Sequence, residues 1–133
     1  MKILKVNTGA HGDMVNITDQ VRDFIKESKK EEGAVLIFAK GSTGAITTIE
    51  YEPGLKKDFP RVMEKIAPYN DYYAHHETWH DDNGSSHVKS GIIGPSLVIP
   101  FEDGELLLGT WQQIVVVNFD TKPRRREIIL QVL

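Results

Sequence analysis

The chain has 133 residues, 40% of them hydrophobic, with a formal net charge of −3 and an isoelectric point near 5.9. That is enough apolar material for one core, and the mild acidity argues against a general nucleic-acid binder, which is usually basic. Cysteine is absent, which excludes disulfides, thiolate metal sites and a cysteine nucleophile and fits a reducing cytoplasm.

The N-terminus lacks the apolar core of a signal peptide, and no later run is long enough to span a bilayer, so one soluble cytoplasmic domain over residues 1–133 is expected. Residues 1–8 alternate apolar and polar positions and predict a first strand. Gly9 and Gly12 break it, and residues 14–17 form a short second one. Thr18 and Asp19 open a helix as hydroxyl cap and first-turn acid. Val21, Phe24 and Ile25 recur at helical spacing, and Gly33 ends the helix. Residues 34–39 are a continuous apolar run, predicting a strand covered on both faces. Gly41-Ser42-Thr43-Gly44 reads either as a plain hairpin turn or as an anion-holding loop, and residues 45–51 return as a β-branched strand. Pro53 opens a second helix that Pro60 should kink or split and Pro68 should end.

Residues 75–90 hold four of the five histidines, with carboxylates, hydroxyls and a lysine, and predict a polar loop. Residues 88–100 then read as strand, interrupted by Gly91, Gly94 and Pro95. Glu102-Asp103-Gly104 is a tight hairpin turn. Residues 106–119 exceed one ordinary strand, and Gly109 offers a bend within them. Arg124-Arg125-Arg126 leads into a last strand over residues 128–133. The order predicts α+β: a mostly antiparallel, sandwich-like domain with two helices. Ile114-Val115-Val116-Val117 is apolar on both faces and asks for cover from a second sheet or another subunit.

The histidine stretch is the candidate site, because histidine and carboxylate suit zinc and similar divalent ions. His76-Glu77-Thr78-Trp79-His80 matches H-E-x-x-H, the pattern that places two ligands and a general base on one helix face. Asp81-Asp82-Asn83-Gly84 follows at once, which leaves little room for such a helix, so metal binding without protease chemistry is the better reading. Arginine's planar fork suits phosphate if one side of the triple-arginine run faces a cleft. Trp111 can stack on a ring, although a tryptophan among apolar strands is more often core or interface.

At these residues the chain resembles a known family. The segments Ser86-His87-Val88-Lys89-Ser90, Leu108-Gly109-Thr110-Trp111-Gln112, Asn118-Phe119-Asp120 with Pro123-Arg124-Arg125-Arg126, and Ser42 to Glu50 closely resemble the YjbQ-like secondary thiamine-phosphate synthase family. The resemblance implies a compact α+β fold, a homotrimer and weak thiamine-phosphate synthase activity. That reaction joins a hydroxymethylpyrimidine pyrophosphate to a thiazole phosphate and expels pyrophosphate. His87, His76 and Glu50 match family positions; where many relatives carry a histidine, this chain has Gly41, and His80 is a candidate substitute.

The expected site therefore has His76, His80 and His87 on a divalent metal ion, zinc or magnesium, with Asp81 or Asp82 as possible extra ligands. Ser42, Thr43, Lys89 and Arg126 bind phosphate, and Glu50, His87 and Lys89 are the catalytic candidates. Small phosphorylated substrates and the homotrimer are the expected partners, with no nucleic acid and no membrane. The alternatives are a metal-dependent hydrolase of a small phosphorylated or acylated substrate, and a non-enzymatic small-molecule or metal-binding trimer.

Overall fold

Two antiparallel sheets frame the computed structural model, which describes residues 1–133. The elements in chain order are β1 (Lys2–Thr8), β2 (Asp13–Asn16), α1 (Thr18–Ser28), β3 (Gly33–Lys40), β4 (Gly44–Ile49), α2 (Pro53–Ile66), α3 (Ala74–Trp79), α4 (Gly84–Ile93), β5 (Ser96–Glu102), β6 (Glu105–Leu106), β7 (Gln113–Asn118) and β8 (Arg124–Val132). The larger sheet has the order β1-β8-β3-β5-β6 and the smaller β2-β7-β4. No helix is long and apolar enough to cross a membrane.

The apolar run in β7 explains why the sheets stack. Ile114 and Val116 join Val35, Ile37, Ile128, Leu130 and the α1 residues Val21 and Ile25 in one core. The alternate residues Val115 and Val117 face a second cluster with Met14, Ala45 and the α2 residue Met63. Each fully buried side chain of this kind contributes on the order of 1.5–3 kcal/mol, so one strand helps hold both layers. The doubly apolar run is thus covered within the chain and needs no partner.

Several local expectations change. Four helices form, not two. Gly41-Ser42-Thr43-Gly44 is no hairpin turn, because β3 pairs with β5 and β8 while β4 pairs with β7. The loop carries the chain from one sheet to the other. Residues 88–93 are helix rather than strand: α4 buries Ser85, Ser86, Lys89 and Ser90 and exposes Val88 and Ile92, an inverted amphipathic pattern that defeats a periodicity reading. Ser90 Oγ donates to the Gly44 carbonyl at 2.5 Å, which ties that polar face to β4.

Helix α2 runs unbroken through Pro60, and Glu52 caps its start by accepting from the Gly54 and Leu55 amides. Helix α1 ends at Ser28, with Lys29 in the left-handed region, well before Gly33 opens β3. Thr18 is a helical residue rather than the cap, and its hydroxyl accepts from the Ile114 amide. The predicted two-residue turn at Asp103-Gly104 is present, both residues having positive φ as that turn requires. Residues 107–112 bridge β6 and β7 without strand structure, so the long run is broken as its length implied.

Three of the four direct crossings between the sheets (residues 9–12, 41–43 and 119–123) lie at one end, and the fourth (residues 107–112, from β6 to β7) lies at the other. At the first end Thr8 pairs with Arg124, Lys40 with Glu127 and Gly44 with Asn118.

Candidate functional site

The histidine stretch folds as two short helices, and their junction makes the cluster. Helix α3 has six residues and stops where His80 takes the left-handed conformation (φ 55°), its amide donating to the His76 carbonyl. That sharp stop turns Asp81 back toward the start of the helix, and His75 Nδ1 lies 3.1 Å from Asp81 Oδ1. His75, His76 and Asp81 each bring a ligand atom to within 4.8 Å of the others. With its amide turned to satisfy its bonding, Asn83 donates to both Asp81 oxygens at 3.1 Å. The His87 ring packs on His75, with centroids 4.4 Å apart. Burial holds the His87 imidazole below its usual pKa and the His75 charge adds to this, against the opposing pull of Asp120, Asp81 and the Ser42 main chain.

These residues fit a metal ion by their donor set. Two imidazoles and one carboxylate are the three-ligand complement of catalytic zinc sites, and nitrogen-rich sets suit zinc-class ions better than magnesium. His75 Nδ1 is a buried nitrogen with no aligned hydrogen bond, which leaves a lone pair or a proton to be used. One feature opposes the fit. The Gly84 amide donates to His76 Nε2 at 2.9 Å, and a neutral imidazole has only one nitrogen lone pair to offer. Ligation by His76 therefore requires that bond to open.

Beside the cluster lies a polar network built from the sheet crossings. Arg126 is only 7% exposed, and its Nη2 donates to Thr43 Oγ1 at 2.7 Å and Asn118 Oδ1 at 2.5 Å. Thr43 Oγ1 donates in turn to Asp120 Oδ2 at 3.2 Å, and Arg124 Nε donates to the same oxygen at 2.8 Å. Burial raises the Asp120 pKa, but the Thr121 amide, Arg124 and Thr43 outweigh it and hold the carboxyl below its usual value. Burial likewise lowers the Arg126 pKa, partly offset by Asp120.

Of the residues expected from sequence, the structure brings together His76, His87, Ser42, Thr43 and Arg126. His80 is exposed and outside the cluster, and no helix carries the H-E-x-x-H geometry: position 80 lies past the last helical residue. Lys89 is buried, but its ammonium donates to Glu64 Oε2 of α2 at 2.6 Å, so it serves the α2–α4 contact. That contact, with the Tyr69 main chain, holds the Glu64 carboxyl low despite the upward push of burial.

Glu50 follows β4 at the end away from Gly44. It lines a separate cavity of about 320 Å³ with Asn16, Tyr51, Glu52, Thr110, Trp111 and Gln113. Trp111 is 72% exposed, so the core reading is wrong for it. Sequence reasoning passed over His75 as a ligand and gave Asn118 and Asp120 no role. The Asp-Asp-Asn-Gly run that closes α3 is the local signal for Asp81, whereas Asp120 depends on the sheet crossing.

Comparison with known proteins agrees with this architecture. Residues 2–133 match the model of the family described as UPF0047 protein YjbQ-like. A UPF0047 protein of Archaeoglobus fulgidus is 37% identical over 130 residues, covering 98% of both chains. The UPF0047 protein YugU of Bacillus subtilis is 33% identical over 134 residues, covering 100% of this chain and 98% of the other. A crystal structure described as a YbjQ-like protein of unknown function from Sulfolobus solfataricus superposes with a TM-score of 0.92 at 31% identity, covering 98% of this chain and 94% of that one. Two stacked antiparallel sheets, four helices and the matched length agree: the chain belongs to the YjbQ-like UPF0047 family.

Proposed function

We propose that this protein is a metal-assisted transferase of the secondary thiamine-phosphate synthase type, working in the cytoplasm as a homotrimer on small phosphorylated substrates. The observation that carries the reading is the meeting, at one end of the sandwich, of the His75–His76–Asp81 cluster, the Ser42–Thr43 loop and the buried Arg126.

In the reaction a ring nitrogen of the thiazole phosphate attacks the exocyclic methylene carbon of the pyrimidine. A carbon–nitrogen bond forms, and the carbon–oxygen bond to pyrophosphate breaks with its electrons leaving on oxygen. The developing charge must be met by fixed donors. A divalent ion held by His75, Asp81 and, once its Gly84 bond opens, His76 would supply Lewis-acid stabilisation of that leaving group. The chain supplies the rest. The Ser42 hydroxyl presents a donor, while Thr43, whose one proton goes to Asp120 and which accepts from Arg126 Nη2, ties the loop to the buried network. His87, kept largely neutral by burial, can donate one hydrogen bond to a substrate oxygen without bringing a full charge into the site. Glu50 has no part within one chain, because β4 separates it from the histidines by roughly 20 Å.

The test is to incubate untagged protein with zinc and both substrates and measure thiamine phosphate. Formation above a heat-killed control, lost in His75→Ala, supports the reading. No product above that control refutes it. Pyrophosphate release without the thiazole partner would point instead to the hydrolase. The trimer is tested separately: light scattering should give three times the chain mass of 15.0 kDa.

A further inference from the structure

A groove of about 360 Å³ lies where β3 ends and β8 begins, lined only by Lys40, Gly41, Arg124, Arg125, Arg126 and Glu127. We propose that this groove is a binding site for a phosphate group, carried by a phosphate monoester or a diphosphate, with Arg126 Nη1 and Arg125 as its principal donors.

Charge bookkeeping gives the first reason. Lys40 is paired with Glu127 at 3.3 Å, and Arg124 with Asp120 at 2.8 Å. Arg125 has no carboxylate partner, and Arg126 bonds only to neutral oxygens of Thr43 and Asn118. The Arg125 charge therefore stays uncompensated and the Arg126 charge is offset only in part, through space, by Asp120, while a phosphate monoester carries about −1.5 to −2 at neutral pH. The second reason is the state of Arg126. Its bonding falls entirely on Nη2: Nε is buried with no partner, and Nη1 makes no hydrogen bond within the chain. Nη1 is not among the buried unpartnered atoms, so it is the edge of the guanidinium with donors left for a ligand in the groove.

The third reason is Gly41. A Cβ there would stand 3.1 Å from Nη1, and φ of +133° disfavours any side chain. Glycine therefore leaves the face of Nη1 open where a larger residue would crowd it. Arginine's fork matches phosphate geometry, so the exposed Nη1 edge and Arg125 can each donate to separate oxygens.

This deepens the reading above, from which it takes only the phosphate chemistry of the substrates; the experiment needs neither metal nor turnover. Inorganic phosphate and pyrophosphate are titrated into the full chain at low ionic strength, following amide shifts of Gly41 and Arg125 by NMR. Saturable shifts at those amides are expected. Arg125→Ala and Lys40→Ala, both at exposed positions, change charge without touching the buried network. The first should weaken binding about ten- to hundredfold and the second less, because Lys40 is already paired. Arg126→Lys should lose binding, and its thermal unfolding shows whether the fold survives. Should Arg126→Lys prove unfolded, Arg125→Ala decides alone. Shifts that do not saturate, or affinity unchanged in Arg125→Ala, overturn the proposal. Saturable phosphate binding by a protein that makes no thiamine phosphate upholds this site and removes the synthase reading. Synthase activity without phosphate binding here does the reverse.

Discussion

The two ends of β4 teach different lessons, although they belong to one strand. At Gly44 the backbone is buried, Ser90 bonds its carbonyl, Arg126 presses against its face, and three of the four sheet crossings converge with the histidines. At Glu50 the strand runs out into an exposed cavity beside Trp111, with no histidine among its lining residues. Polar groups are costly to bury unless satisfied, so a fold that gathers Arg126, Asn118, Asp120 and Thr43 at one end has bonded them into a network. The Glu50 end has no such requirement, and its polar residues are solvated. The contrast predicts that substitutions at the first end change stability and binding together, while those at the second leave both nearly alone.

The largest effect should come from Arg126→Ala. It removes the donor that Thr43 and Asn118 share and leaves Asp120 with Arg124 alone against it. Losing two buried hydrogen bonds from a charged donor, about 1.5–3 kcal/mol each, costs about 3–6 kcal/mol. Chemical denaturation should show the midpoint falling steeply with little change of slope. A loss below about 1 kcal/mol would mean that the network is not what holds this end together.

Gly84→Ala comes next. A Cβ there would meet Tyr73 Cβ at 2.5 Å and His76 Nε2 at 2.9 Å, so the α3–α4 junction must move. Overpacking of this kind costs about 1–3 kcal/mol. Because the Gly84 amide also occupies the His76 lone pair, the displacement should alter zinc affinity, read by competition with a chromophoric chelator. Unchanged stability and affinity would show that the junction is loose and the His76 bond incidental.

How much of this was legible follows from the same contrast. The strands, their antiparallel pairing and the double burial of Ile114 to Val117 could be read, because alternation and continuous apolar runs report burial directly. Helix α4 could not: its buried face is Ser85, Ser86, Lys89 and Ser90, whose burial depends on β4 and α2 lying alongside. The histidine region was legible as a cluster of candidate ligands, but not which of its residues meet. Choosing His75 over His80 depends on the left-handed turn at His80, and residue identity does not announce that conformation. Asp120 became a site neighbour only when residues 119–123 crossed between sheets.

Two further measurements sharpen the account of the histidine end. His75→Ala should lower zinc affinity by more than the roughly 10- to 100-fold that loss of a supporting residue costs, while His80→Ala should leave it unchanged. Equal effects from both would restore His80 as a ligand. The pH dependence of folding tests the neighbouring network. Asp120 has its folded pKa below the unfolded one, so its stabilisation is present above the ordinary carboxylate range and lost as pH falls through the folded value. In that acidic window the unfolded state binds more protons, and stability rises with pH. Asp120→Asn should be less stable near neutrality and should flatten this acid slope. An unchanged slope would place the acid sensitivity elsewhere, Glu64 with Lys89 being the next candidate.

The smallest effect belongs to the far end, and it decides whether the comparison holds. Glu50 is exposed and, unlike Glu52 beside it, caps no helix with its side chain. Substituting an exposed side chain away from special features usually changes stability by less than about 0.5 kcal/mol. Glu50→Ala should therefore leave the denaturation midpoint, zinc affinity and phosphate binding where they were. If turnover is nonetheless lost while all three stay constant, Glu50 must reach the histidines of another copy, because no path within one chain brings it there. Mixing Glu50→Ala with His75→Ala then separates the cases. Activity regained in the mixed assembly means a site shared between subunits, and activity still absent means that the two ends of β4 never meet.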